Sequence, residues 1–125
     1  MHLGILIYRT LRGEPKPRLK LAHAVVNGTT AVICLFGSIA VLYFHQAAGI
    51  AHFYSLHSWL GIATWFLYLS MYVGAFTIFL YPGASYTIRT LVMPVHRFVG
   101  VVTFVLATAT CFTGLNEKAI FAFNG

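Results

Sequence analysis

Three apolar runs, residues 21–44, 55–81 and 95–122, restrict the fold of this chain more than any other feature. Crossing about 30 Å of hydrocarbon takes about 20 helical residues, and each run meets that length. In lipid every backbone polar group must find its partner inside the structure, so runs this long and uniformly apolar form helices. A β-barrel would instead show alternating segments of about 10 residues, and none occurs. Charged residues make up only 8% of the chain and mean hydropathy is +0.82, whereas soluble domains carry about 25% charged residues. The expected fold class is therefore all-α: an integral, multi-pass helical bundle embedded in the lipid bilayer.

Breakers divide the chain into three full transmembrane helices and an N-terminal helical stump, at about residues 1–12, 19–45, 53–81 and 93–122 of a single domain, 1–125. The opening MHLGILIYRTLR is too short to span and reads as the end of a helix whose upstream part is missing. Gly13-Glu14-Pro15-Lys16-Pro17 breaks the chain, because prolines remove donors and restrict the residue before them. HQAAGIAH forms the loop on the opposite side. Tyr81-Pro82-Gly83 is a stop signal, and Pro94 suits the first turn of the last span. Cys34 and Cys111 lie inside apolar runs and read as small buried hydrophobes, with no disulfide or metal signature.

The net charge of +6 raises the question of nucleic acid. Charge placement answers it. Arg9, Arg12, Lys16, Arg18 and Lys20 precede the first run, Arg89 lies between the second and third, Arg97 stands at the start of the third, and residues 45–52 hold no Lys or Arg. Seven of the eight cations thus fall on one side, the pattern of a cytosolic membrane face. Loops 13–20 and 84–93 are expected in the cytosol, and no nucleic-acid partner is expected.

Each span carries one histidine near its amino end: His23, His57 and His96. Because successive spans alternate direction, His23 and His96 share a level near the basic side and His57 lies near the other. At 1.5 Å per residue the two levels are separated by something on the order of 20 Å. Ionisable groups inside spans are functional candidates, and a matched histidine pair suits the axial positions of a b-type haem iron. Small residues follow one turn after each histidine: Asn27 and Gly28, Gly61, and Gly100. They suit a porphyrin lying against the helix, or equally the close helix packing for which glycine is common in membranes. His2, His45 and His52 lie at ends or in loops, where solvation accounts for them.

The blocks Tyr54-Ser55-Leu56-His57-Ser58-Trp59, Tyr81-Pro82-Gly83-Ala84-Ser85 with Arg89, Met93-Pro94-Val95-His96 and Gly114-Leu115-Asn116-Glu117-Lys118 resemble the cytochrome b561 family, in order and over nearly the whole chain. The resemblance implies transmembrane, ascorbate-dependent oxidoreductases with six helices and two b haems, of which this chain matches a portion truncated at both ends. It implies haem axial ligands at His23 and His96 on the cytosolic side and at His57 on the other, where the family's second ligand would lie upstream of Met1. It further implies ascorbate binding by Lys16, Lys20 and Arg89, haem surrounds at Arg9, His52, Phe53, Tyr54, Ser55 and Glu117, and an outer acceptor site at Phe44, His45 and Tyr54.

The expected function is one-electron transfer across the membrane, from cytosolic ascorbate through b-type haem to monodehydroascorbate or ferric chelate. The expected location is an endomembrane vesicle, a lysosome or vacuole, or the plasma membrane, with a homodimer as a further possible partner state. Trp59, Trp65, Tyr68 and Tyr72 suit either the electron path or interfacial belts and packing. The alternative is a truncated, non-catalytic membrane fragment that binds one haem or none. A histidine-based metal transporter would want carboxylates within the spans, and the acids, Glu14 and Glu117, lie at span ends.

Overall fold

The computed structural model describes His2–Asn124, with side chains described from residue 6 to residue 123. Helix α1 (His2–Thr10) is followed by α2 (Lys16–Ala48), α3 (Leu56–Ala75) with a π-helical extension (Phe76–Leu80), and α4 (Tyr86–Asn124). Three of these helices are long and apolar enough to cross a bilayer: Lys16–Ala48, Leu56–Leu80 and Tyr86–Phe123. The chain is an integral membrane protein of all-α class.

The helix ends follow local chemistry. Pro15 stands at the N-cap of α2 and Pro17 in its first turn, where a missing N–H costs no intrahelical bond. Helix α2 therefore begins at Lys16, earlier than the broken segment in the sequence suggests. It ends at Gly49, whose φ of 65° is the left-handed geometry that glycine accepts. Ser55 caps α3, its Oγ accepting from Ser58 N at 3.3 Å.

Helix α4 departs from expectation at its start. Pro94 lies inside it rather than in its first turn. Ser85 opens the helix instead: its carbonyl accepts from Arg89 N at 3.1 Å and its Oγ from Ile88 N at 3.5 Å. A proline within a transmembrane helix is tolerated where neighbouring groups satisfy the freed backbone.

Helices α3 and α4 form the close pair. Thr103, Thr110 and Gly114 fall on one face of α4, and Thr103 is buried, its hydroxyl returned to Val99 O at 2.7 Å. Gly61 of α3 faces Thr110, where a Cβ would stand in ordinary contact 3.6 Å from Cγ2, and the Thr64 and Thr110 hydroxyls meet at 3.3 Å. Small residues of this kind let membrane helices approach.

Helix α2 stands farther from α3, and long side chains bridge the interval. Trp65 Nε1 donates to Ser38 Oγ at 3.2 Å, Tyr68 OH to Asn27 O at 2.7 Å, and Tyr72 OH to Ala24 O at 3.2 Å. Residues 65, 68 and 72 form one stripe of α3. Gly28 makes the last contact possible, because a Cβ there would lie 2.6 Å from the Tyr72 hydroxyl.

Most other large apolar side chains face outward, Phe66, Phe98 and Phe112 among them. In water so large an apolar surface would drive association; in lipid it is the solvent-matched face. Cys34 and Cys111, expected to be buried, are exposed on this face. A bundle this thin has little interior to offer them, and lipid supplies the apolar surroundings.

Candidate functional site

The structure groups the candidate residues at two levels. At the first, His23 of α2 and His96 of α4 face each other with ring centroids 6.3 Å apart and planes at 72°. Asn27, one turn beyond His23, donates from Nδ2 to His23 O at 2.8 Å, and Nδ2 lies 3.5 Å from His23 Nε2. Phe79 of the π segment flanks His96 at 5.3 Å, and Tyr8 of α1 flanks His23 at 5.7 Å. Thus α1, α2, α4 and the π segment all contribute to this level.

Imidazole nitrogens bind metals at about 2.0–2.1 Å, and the ring centre lies roughly 1.1 Å behind the nitrogen. Two axial imidazoles on one metal therefore place their centroids roughly 6.3 Å apart, matching the observed separation. In addition, His96 Nδ1 is buried with no hydrogen-bond partner among the described residues, a costly state for a polar atom. The spacing suits two imidazoles that share one metal. Two facing imidazoles are a donor pair of the kind that a b-type haem iron takes.

Beside this pair opens a cavity of about 730 Å³, lined by Lys16 and Lys20 from α2, Phe79, and Tyr86, Arg89, Thr90, Met93, Pro94 and Arg97 from α4. It brings the three sequence-derived cations Lys16, Lys20 and Arg89 together and adds Arg97. Lys20 Nζ donates to Phe79 O at 2.9 Å. Arg89 Nε is buried and without a partner among the described residues. Arg9, expected near the haem, ends α1 and is exposed.

At the second level, His57 Nδ1 lies 2.9 Å from Thr110 O of α4. A carbonyl only accepts, so Nδ1 carries a proton toward it, the contact by which the second nitrogen of a metal-ligating histidine is usually oriented. Gly114 admits the ring: a Cβ there would lie 2.7 Å from His57 Cε1 and 2.9 Å from Nδ1. Positions 110 and 114 are 14 and 18 residues beyond His96, about 21 and 27 Å along α4. No histidine ring stands against His57 among the described residues.

Next to His57 the Glu117 carboxylate is held on both oxygens, Oε1 accepting from Tyr54 OH at 2.7 Å and Oε2 from Ser55 Oγ at 2.9 Å. The hydrogen bond from Tyr54 to Glu117, then loss of water and the carboxylate charge, raises the Tyr54 phenol above its ordinary value of 10. His45 and His52 stack at 5.7 Å and 25°, with Phe44 and Phe53 beyond them at 6.2 and 6.0 Å. Ile50, Ala51, Tyr54 and Phe121 line a second cavity of about 380 Å³. His52 and Phe53, expected beside a haem with Tyr54 and Ser55, are thus joined to Phe44 and His45 of the expected acceptor site.

Sequence reasoning missed Gly114, whose role depends on a ring 57 positions away, and Arg97, which it used only as a topology signal. The room it saw beside the histidines divides: Gly28 and Gly61 pack against Tyr72 and Thr110, whereas Gly100 faces open space.

The chain resembles known proteins along almost its full length. The family described as eukaryotic cytochrome b561 matches residues 1–122. The human transmembrane ascorbate-dependent reductase CYB561 is 39% identical over 122 residues, 98% of this chain and 49% of the relative. The transmembrane ascorbate ferrireductase 2 of Arabidopsis thaliana is 40% identical over 118 residues, 94% of this chain and 51% of the relative. The lysosomal membrane ascorbate-dependent ferrireductase CYB561A3 of Bos taurus is 41% identical over 119 residues, 94% of this chain and 45% of the relative. The chain spans about half the length of the curated relatives it matches. With a family match over residues 1–122 and paired histidines suited to the haem b that the family implies, this chain belongs to the eukaryotic cytochrome b561 family.

Proposed function

We propose that this chain carries one electron at a time from cytosolic ascorbate to an acceptor on the opposite face of the membrane. Monodehydroascorbate and ferric iron are the acceptor classes, in keeping with relatives named ascorbate-dependent reductase and ferrireductase. The observation that carries the reading is the juxtaposition of the His23/His96 pair with a cavity rich in cations.

Haem b, when bound, supplies the one-electron couple. His23 and His96 would hold it on the cytosolic side, and His57 would help to hold a second on the far side. Lys16, Lys20 and Arg89 hold the ascorbate monoanion through charge-assisted hydrogen bonds. Their positive charge also favours the deprotonated enediol, so a hydroxyl proton leaves as the electron does. Thr110 O keeps the His57 proton on Nδ1. At the outer end Phe44, His45 and Tyr54 face the acceptor. Glu117, with Tyr54 and Ser55 donating to it, forms the polar border of the far haem site together with His52 and Phe53, and Arg9 borders the near one. Two haems per assembly and a homodimer complete this reading, in an endomembrane, lysosomal or plasma membrane.

The test is reduction of the purified, haem-reconstituted chain by ascorbate. An ascorbate-reducible b-type absorption is expected, with K16Q and R89Q each raising the half-saturating ascorbate concentration about tenfold. A chain that shows no ascorbate-reducible absorption contradicts the proposal.

A further inference from the structure

The basic cavity holds more positive charge than the protein balances. Lys16, Lys20, Arg89 and Arg97 line it together, and the whole chain has only two acidic residues. Glu14 pairs with Arg18 at 3.6 Å. Glu117 is engaged by Tyr54 and Ser55, 20 residues and about 30 Å along α4 from Arg97. Neither acid serves the cavity. Lys20 donates to a backbone carbonyl, which leaves its charge uncompensated, and Arg89 Nε stays unpartnered.

The wall of α4 has a regular layout. Tyr86, Arg89 and Thr90, Met93 and Arg97 recur at three- and four-residue steps and so fall on one helix face. Arg89 and Arg97 are eight residues apart, about 12 Å along the axis, so they approach the cavity from its two ends. Arg97 shares the lining with the apolar Phe79, Met93 and Pro94, and its exposed guanidinium finds no carboxylate among the lining residues. The positive-inside rule accounts for a cation near this face. It does not account for one turned into a cavity that already holds three.

We propose that Arg97 is a fourth anion-binding residue of the cavity and directly contacts the reductant, a role that rests on the reading of this cavity as the ascorbate site. Arg97 is the residue after His96 on α4, so an anion at its level along the helix lies at the depth of the His23/His96 pair. Its planar guanidinium, with donors arranged as a fork, matches the adjacent oxygens of an enediolate better than an ammonium does.

Equilibrium dialysis of radiolabelled ascorbate, under anaerobic conditions and with the full haem-reconstituted chain in phosphatidylcholine nanodiscs, tests this. R97Q is expected to weaken ascorbate binding about tenfold, R97K to weaken it less, and R12Q, which removes the same charge outside the cavity, to bind as the unmodified chain does. Haem content and absorption spectrum are expected to stay unchanged in R97Q. Unaltered binding in R97Q while R89Q binds weakly overturns the role of Arg97 and leaves the cavity reading standing. Unaltered binding in R97Q, R89Q and K16Q alike overturns both. Altered haem content or spectrum in R97Q with unaltered ascorbate binding assigns Arg97 to the haem and also overturns the proposal.

Discussion

Replacing Gly114 by alanine tests how the His57 ring is held. The added Cβ would stand 2.7 Å from Cε1, and ordinary contact begins at 3.4 Å, so the ring must retreat by about 0.7 Å. A retreat of that size stretches the 2.9 Å bond from Nδ1 to Thr110 O toward 3.6 Å, beyond hydrogen-bond range. Overpacking costs about 1–3 kcal/mol and loss of the bond about 0.5–1.5 kcal/mol, giving roughly 1.5–4.5 kcal/mol in all. Reversible unfolding in mixed micelles, followed by circular dichroism, measures the loss. Nitrogen NMR of labelled histidine follows the tautomer, with His57 protonated on Nδ1 in the unmodified chain and a mixture in G114A. The double variant isolates the contact: with His57 changed to Ala, G114A becomes neutral or stabilising by up to about 1 kcal/mol, because alanine is the better helix former. If G114A is equally costly with and without the His57 ring, or leaves the Nδ1 signal unchanged, the steric argument is wrong.

Gly28→Ala is expected to displace the Tyr72 hydroxyl from Ala24 O and to cost about 1–3 kcal/mol in the same unfolding assay, and Y72F should remove most of that penalty. Tyr54 is expected to titrate above pH 10 by ultraviolet absorbance and to fall back toward 10 in E117Q. The sign follows from linkage: the raised value favours the neutral phenol in the folded chain, so its contribution is complete below pH 10 and is lost as pH rises through the folded value.

What the sequence reveals depends on whether a feature is local. The three spans are legible because lipid forces long apolar runs into helices. The His23/His96 level is legible because antiparallel spans put matched positions at one depth. Residues 86–93 are less so: Pro94 looks like a helix opening, yet Ser85 is the cap, and a proline signal overshadows a serine one. The cavity cations Lys16, Lys20 and Arg89 emerge only through family resemblance, since topology alone accounts for positive charge on that face. Gly28 and Gly114 stand out in the sequence as small residues, but their partners Tyr72 and His57 do not, for each contact is made by a ring from another helix. Cys34 and Cys111 illustrate the reverse error, where an apolar run was equated with burial in protein rather than exposure to lipid.

Haem content per chain, measured with the reduced spectrum after ascorbate addition in His→Ala variants of His23, His57 and His96, decides whether the 6.3 Å pair is an axial ligand set. H23A and H96A are each expected to lose the haem that ascorbate reduces first, while H57A retains it. Full haem content and an unchanged ascorbate-reduced spectrum in H96A would contradict the assignment.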